Sequence, residues 1–172
     1  FAIKCGRPEK IQTFSAATNR LCSLMPTAGA PTMLVAGFTM HRIKNCDPHQ
    51  DALAKVEAIA PIRGVVLDTA TGLGYSAIAA ARTAERVHTI ELDPGAQEIA
   101  RQNPWSQALF DNAVITQSLG DSDELVDTFP AGMFDRIIHD PPVVSLAGQL
   151  YGAEFYRKLH RVLGAKGQLF HY

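Results

Sequence analysis

Four acids stand at the ends of four apolar runs, and their placement is the first sign of chemistry. Val65-Val-Leu leads into Asp68, and Val87-His-Thr-Ile leads into Glu91. A third run, 113–117, is followed by Ser118-Leu-Gly-Asp121, and Asp135-Arg-Ile-Ile-His139 leads into Asp140. An acid at the carboxyl end of a parallel strand faces the crevice where open α/β sheets bind ligands. After the first acid comes the turn Thr69-Ala-Thr-Gly-Leu-Gly74. Its glycines permit backbone conformations that bring the main chain close to a bound nucleotide. The alanine-rich segment from Tyr75 to Ala84 then reads as a helix whose first amides aim at the same place.

Each acid has a chemical reading and a plain one. Glu91 lies 23 residues after Asp68, close to the roughly twenty expected between a glycine turn and a ribose-binding acid. Beside Asp93-Pro94 it also fits a surface or capping acid. Asp121 could accept from the exocyclic amine of an adenine, or cap a helix starting near Ser122. Asp140 is followed by Pro141-Pro142, which stop the strand and fix the backbone. A carboxylate beside the free carbonyl of Pro141 can hold an amine and orient its lone pair. The plain reading is a structural turn. Strand parity puts His139 on the face opposite Asp140, as a packed core histidine more readily than a helper in proton transfer.

Strand–helix alternation is what would bring four strand ends to one crevice, and the chain alternates from residue 62 onward. Strands are expected at 64–68, 87–91, 113–117, 135–139 and 168–172, with helices at 75–84, 95–102, 122–128 and 153–163. Near-continuous apolar strands imply a parallel sheet covered on both faces. The fold class is α/β, a Rossmann-like, doubly wound, mostly parallel sheet. Asp47-Pro48 starts a further helix that runs from His49 to about Ala60 and stops before Pro61. Upstream, Ile11 to Met25 reads as a helix ending before Pro26. Met33 to Ala36 and Phe38 to Ile43 read as two strands of a hairpin around Gly37. Residues 1–46 are thus an N-terminal extension with a hairpin, and 47–172 a Rossmann-like ligand-binding domain. The start without Met and the strand ending at Tyr172 are expected of a fragment or processed product.

Composition excludes several classes. Hydrophobic content is 47% and charged content 19%, ordinary for a globular domain. No apolar run approaches the roughly eighteen residues of a membrane span, so no membrane partner is expected. Cys5, Cys22 and Cys46 are odd in number and far apart, which suits a reducing, cytoplasmic compartment rather than a disulfide framework. Cys46 with His41 and His49 matches no standard zinc spacing, so no metal is expected. Residues 1–46 carry a net charge of +5 and the remainder −6. The basic segment suits an anionic partner such as RNA, or simply a solvated surface.

With these residues in place, the chain resembles class I S-adenosylmethionine-dependent methyltransferases, and among them a set of predicted methyltransferases best known from archaea. The stretches that carry the resemblance are Met40-His-Arg42, Leu67-Asp-Thr-Ala-Thr-Gly-Leu-Gly-Tyr75, Asn103-Pro-Trp-Ser106, His139-Asp-Pro-Pro142, Leu146-Ala-Gly148, and Phe155-Tyr156 through His171-Tyr172. They span roughly residues 30 to 172. The resemblance implies S-adenosylmethionine as cofactor, held by Asp68, Thr69, Ala70, Thr71, Gly72, Gly74, Tyr75, Glu91, Leu92 and Asp121. It implies a reaction side at Asp140 and Pro141, with methyl transfer to an amine nitrogen. The acceptor class stays open among RNA, protein and small amine, and a homodimer is a further expectation.

Two departures bear on this. Ala70 stands where the usual Gly-x-Gly-x-Gly turn begins, as it does in many amine-directed enzymes. Their Asp-Pro-Pro motif ends in an aromatic that stacks on a flipped base, whereas Val143 stands here, which weakens a nucleobase acceptor. A rival resemblance is to spermidine synthases, carried by Gln149-Leu-Tyr-Gly-Ala-Glu-Phe-Tyr156, the Val162–Gly167 turn, Glu91-Leu-Asp-Pro94 and the N-terminal hairpin. Those enzymes use decarboxylated S-adenosylmethionine to move an aminopropyl group. A polyamine pocket needs acids, yet none appears between Asp140 and Glu154, and a second nearby aspartate is missing. A third reading is a non-catalytic RNA-binding module that kept the fold.

Overall fold

The strands of the central sheet alternate between two cores, which is why their sequences are apolar almost throughout. Val66 and Ile138 pack into one cluster, while their neighbours Leu67 and Ile137 pack into the other. A computed structural model describes residues 2–4 and 6–172. The readings made on Phe1 and Cys5 fall outside the described residues.

In chain order the strands are β1 (Ala2–Lys4), β2 (Arg7–Glu9), β3 (Gln12–Ser15), β4 (Arg20–Met25), β5 (Thr32–Val35), β6 (Phe38–Thr39), β7 (Val65–Asp68), β8 (Arg86–Glu91), β9 (Ile115–Leu119), β10 (Phe134–His139) and β11 (Leu163–His171). The α-helices are α1 (Pro48–Glu57), α2 (Tyr75–Ala80), α3 (Pro94–Arg101), α4 (Gln107–Phe110), α5 (Ser122–Leu125), α6 (Val144–Ala147) and α7 (Ala153–Val162). β7 to β11 form a five-stranded parallel sheet in the order β11-β10-β7-β8-β9. The chain thus has the expected α/β, Rossmann-like fold. The side chains of α1, α2 and α3 fill one core, and those of α7 fill the other, centred on Phe155, Leu159 and Val162. No helix among the described residues is long and apolar enough to cross a membrane.

The N-terminal part differs from expectation. Ile11 to Met25 is not a helix. It forms β3 and β4, paired antiparallel from Gln12↔Ser23 to Ser15↔Arg20. With β5 and β6 they make a four-stranded antiparallel sheet. Asn19 takes a left-handed conformation at φ 54° to turn the chain. The Thr18 hydroxyl donates to Asp93 Oδ2 at 2.6 Å, tying that turn to the start of α3. Helix propensity over this segment is overridden by pairing on both edges of β4. The hairpin around Gly37 is present, but β6 stops at Thr39. Ala36 (φ 49°) and Gly37 (φ 85°) supply the two left-handed residues of its tight turn.

In the second half, α2 ends at Ala80 and α5 at Leu125, both short of expectation. Val162 to Gly167 is not a separate turn. β11 runs through it from Leu163, with an irregular register against β10 between Phe134 and Arg136.

Candidate functional site

A cavity opens at the carboxyl ends of β7, β8 and β10, where the sequence put its acids. It encloses about 1020 Å³ of empty space, counting its open mouth. The parallel sheet supplies its floor. β4 and β5 supply a second wall through Arg20, Met33 and Val35.

The floor is the turn after β7. Gly72 (φ 52°) and Gly74 (φ 77°) both lie in the left-handed region, so the turn depends on their lacking a Cβ. A Cβ at Gly72 would meet nothing within 4 Å, whereas one at Gly74 would come 2.7 Å from Leu109. Gly72 therefore borders open space, and Gly74 is pinned against the core. Thr69, Ala70, Thr71, Gly72 and Tyr75 line the cavity, and Gly74 is not among the lining residues.

Asp68 is placed behind this turn rather than in the cavity. It is 1% exposed. The Thr89 hydroxyl donates to its Oδ2 at 2.9 Å, and the Thr71 hydroxyl in turn donates to Thr89 at 2.6 Å. Burial, with the nearby charges of Asp140 and Glu91, pushes its carboxyl up to about 7 against the pull of Thr89 and the Ala70 amide.

Glu91 does line the cavity, and both of its oxygens already accept from the backbone. Gly72 N donates to Oε2 at 2.8 Å and Asp93 N to Oε1 at 2.9 Å. Burial nevertheless pushes it up to about 7. Each oxygen keeps a lone pair for a ligand hydroxyl. Leu92 lines the same wall. Asp121 caps α5, accepting from Asp123 N at 2.9 Å, and it also borders the cavity. Its neighbour Ser122 donates to Thr69 O at 2.6 Å, which locks the third strand end onto the glycine turn.

Tyr75 is nearly buried and firmly held. Its hydroxyl donates to Pro31 O and accepts from Asn103 Nδ2, both at 2.9 Å. Its ring lies 5.3 Å from that of His41. His41 also faces the cavity. Burial, then the charge of Lys55, pushes the His41 imidazole down to about 4, so it is neutral at pH 7.

His139 is a core residue, on the face opposite Asp140 as parity required. Its Nε2 donates to Leu150 O at 2.9 Å, which leaves Nδ1 to accept from the Thr69 hydroxyl at 2.8 Å. The rings of Phe155, Tyr156 and His171 surround it within 5.7 Å. Burial holds it at about 4.

Asp140 projects into the cavity, but not alone. The Lys55 ammonium, from α1, donates to its Oδ2 at 2.6 Å and pairs with Asp51 at 3.0 Å. The Lys55 and Asp51 side chains are only 7% and 4% exposed. Arg42 reaches Asp51 at 2.9 Å, and the Tyr172 ring covers Lys55 at 4.2 Å. Burial works against the Lys55 charge, but Asp140 and Asp51 outweigh it and keep the amine protonated. Burial raises Asp140, and Lys55 only partly offsets this. The Pro141 carbonyl, expected to be free, lies 3.2 Å from the Tyr151 hydroxyl, which donates more closely to Pro142 O at 2.9 Å.

Lys55, Arg20 and His41 are among the cavity residues that the functional reading of the sequence missed. His41 lay within a motif but carried no role. Lys55 gave only a local signal, its i,i+4 spacing from Asp51 on one helix face.

A scan against protein-family models finds no match. An uncharacterized protein of Methanocaldococcus jannaschii is 44% identical over 164 residues, which is 94% of this chain and 56% of that protein. Polyamine aminopropyltransferase 2 of Streptomyces coelicolor is 30% identical over 113 residues, 62% of this chain and 20% of that protein. The chain thus spans about half the length of the first relative and a fifth of the second. Among solved structures, a spermidine synthase in complex with the transition-state analogue AdoDATO superposes with a TM-score of 0.77 at 20% identity. The match covers 94% of this chain and 56% of that one. A protein assigned as an S-adenosylmethionine-dependent methyltransferase, from Methanococcus maripaludis, superposes with a TM-score of 0.52 at 20% identity, over 70% of this chain and 53% of that one. The chain therefore has the Rossmann-like, methyltransferase-type fold that both of these transferases share.

Proposed function

We propose that this chain is the S-adenosylmethionine-binding part of a methyltransferase acting on an amine nitrogen. The cavity residues suit the cofactor. Gly72 leaves room where a side chain would intrude, Glu91 keeps lone pairs for ribose hydroxyls, and Asp121, on the cavity lining, would accept from an adenine amine. When bound, the cofactor supplies a sulfonium methyl that is already electrophilic. The chain's own residues then need to align and receive. Asp140 would orient the incoming nitrogen and accept its proton, and its raised proton affinity makes it a better base than a surface aspartate.

The observation that favours methyl over aminopropyl transfer is the state of the acceptor end. The carboxylate of Asp140 there is already paired with Lys55, and Met33, Val35 and Met40 add apolar lining to the same cavity. A polyamine acceptor brings at least two ammonium groups and would need unpaired acids.

Aminopropyl transfer is the second reading. Its support is the 94% coverage of the spermidine synthase match against 70% for the methyltransferase match. Calorimetry with S-adenosylmethionine, its decarboxylated form and S-adenosylhomocysteine separates the two. Tighter binding of the carboxylated pair is expected. A preference for the decarboxylated form removes the methyl reading, and binding of none removes both.

A further inference from the structure

Lys55 is an unusual residue to find where it is. A lysine side chain normally sits at a surface, because burying an ammonium costs several kcal/mol unless it is fully paired, yet that of Lys55 is only 7% exposed. Here the pairing is provided from two separate elements. Asp51 lies one turn earlier on α1, and Asp140 lies at the end of β10, 85 residues away in sequence. The ammonium lines the same cavity as the glycine turn and Glu91. It therefore stands where a cationic acceptor would otherwise meet Asp140.

The cations and anions around this point balance. Arg42 and Lys55 face Asp51 and Asp140, so the acceptor end carries no net charge from these four groups. Arg20, on the far wall, adds a further positive charge whose guanidinium donates to Leu146 O at 2.9 Å. His41 is neutral and adds none. An entering ammonium would find Asp140 already paired with a cation and would be repelled by the Lys55 ammonium. A neutral nitrogen would still find Asp140 Oδ1, since Lys55 is bonded to Oδ2.

We infer that Lys55 is the specificity-determining residue of the acceptor site: it occupies the cation position with its own ammonium, so that the acceptor must present an uncharged nitrogen such as an amide, ring or aryl amine. This rests on the methyl-transfer reading of the same cavity. It reaches beyond that reading by naming the charge class of the acceptor and the residue that sets it.

The test measures the binding of putrescine and spermidine to the wild-type chain and to Lys55→Met. Calorimetry and thermal shift supply the readout, with S-adenosylhomocysteine as the control ligand. The wild type should ignore both polyamines at millimolar concentration. Lys55→Met leaves Asp140 without its cation, while Asp51 keeps Arg42, and should bind putrescine at least about tenfold more tightly than the wild type, while Lys55→Arg should not. Polyamine binding by the wild type, or no gain in a folded Lys55→Met that still binds S-adenosylhomocysteine, overturns the inference. Should Lys55→Met fail to fold, the wild type decides: indifference supports the inference and millimolar or tighter binding overturns it. The methyl reading fails separately, through a preference for decarboxylated cofactor in the wild type, and that result leaves the polyamine outcome readable.

Discussion

The Gly72 backbone amide donates to Glu91 Oε2 at 2.8 Å, and this one bond joins the glycine turn to the end of the second sheet strand. The other Glu91 oxygen accepts from Asp93 N, at the cap of α3. The carboxylate is thus part of the scaffold as well as part of the cavity wall.

Glu91→Gln should therefore be costly in two ways. A carboxamide has one acceptor oxygen, so its NH2 group must face one of two backbone donors. We expect a loss of about 1–3 kcal/mol in stability, read as a lower urea midpoint with unchanged slope. Weaker S-adenosylhomocysteine binding should accompany it. An unchanged midpoint would show that the two amide bonds contribute nothing.

The two glycines of the turn should separate binding from folding. Gly72→Ala places a methyl in open space at the cavity wall, at a φ of 52° that L-residues tolerate at a cost of about 1 kcal/mol. It should fold and lose most of its cofactor affinity. Gly74→Ala drives a Cβ, at a φ of 77°, to 2.7 Å from the side chain of Leu109, which is 1% exposed. It should lose about 2–4 kcal/mol of stability. Equal effects of the two variants on stability and binding would contradict this division.

Much of the parallel sheet was legible because its strands are buried on both faces. Val66 and Leu67 are both fully buried yet belong to different cores, so the run stays apolar without alternation. The strand ends were legible for the same reason: a polar residue that breaks such a run marks the crevice. The segment 11–25 was not legible. Its strands are four and six residues long, and what fixes them is remote, as in the bond from Thr18 to Asp93, 75 residues away. The pairing of Lys55 with Asp140 was hidden in the same way. Nothing within α1 announces that a strand end 85 residues later will complete its ion pair.

Asp68 gives a prediction about pH. Its carboxyl is pushed up to about 7 in the folded chain, from an ordinary 3.8. Between those values the folded state holds a proton that the unfolded state releases. Stability from this group is therefore lost as pH rises from about 4 to 7, and is level above that. Glu91 works in the same direction over its own window, from 4.5 to about 7. Asp68→Asn removes one of these titrations. The stability of the wild type minus that of the variant should fall with rising pH across this window, by an amount on the order of a few kcal/mol. Taking the difference cancels the opposite trend from His41 and His139, which are held neutral. A difference that does not vary with pH would show that Asp68 is already charged at pH 5.

Asp140 carries the last prediction. Asp140→Asn keeps the size of the side chain, and its carbonyl can still accept from Lys55, which retains Asp51 as a charged partner. The fold should survive, and binding of S-adenosylhomocysteine should change little, because Glu91 and the glycine turn are untouched. What the variant loses is an acceptor for the proton released when a nitrogen is alkylated. Once an acceptor substrate is in hand, turnover should fall by about 10²–10⁴, the usual worth of a positioned general base. KM should move far less. The pH profile discriminates as well: a rate that rises with deprotonation of Asp140 in the wild type should flatten in the variant. A variant that keeps full turnover, with its profile intact, would remove Asp140 from the chemistry and leave it as the structural partner of Lys55.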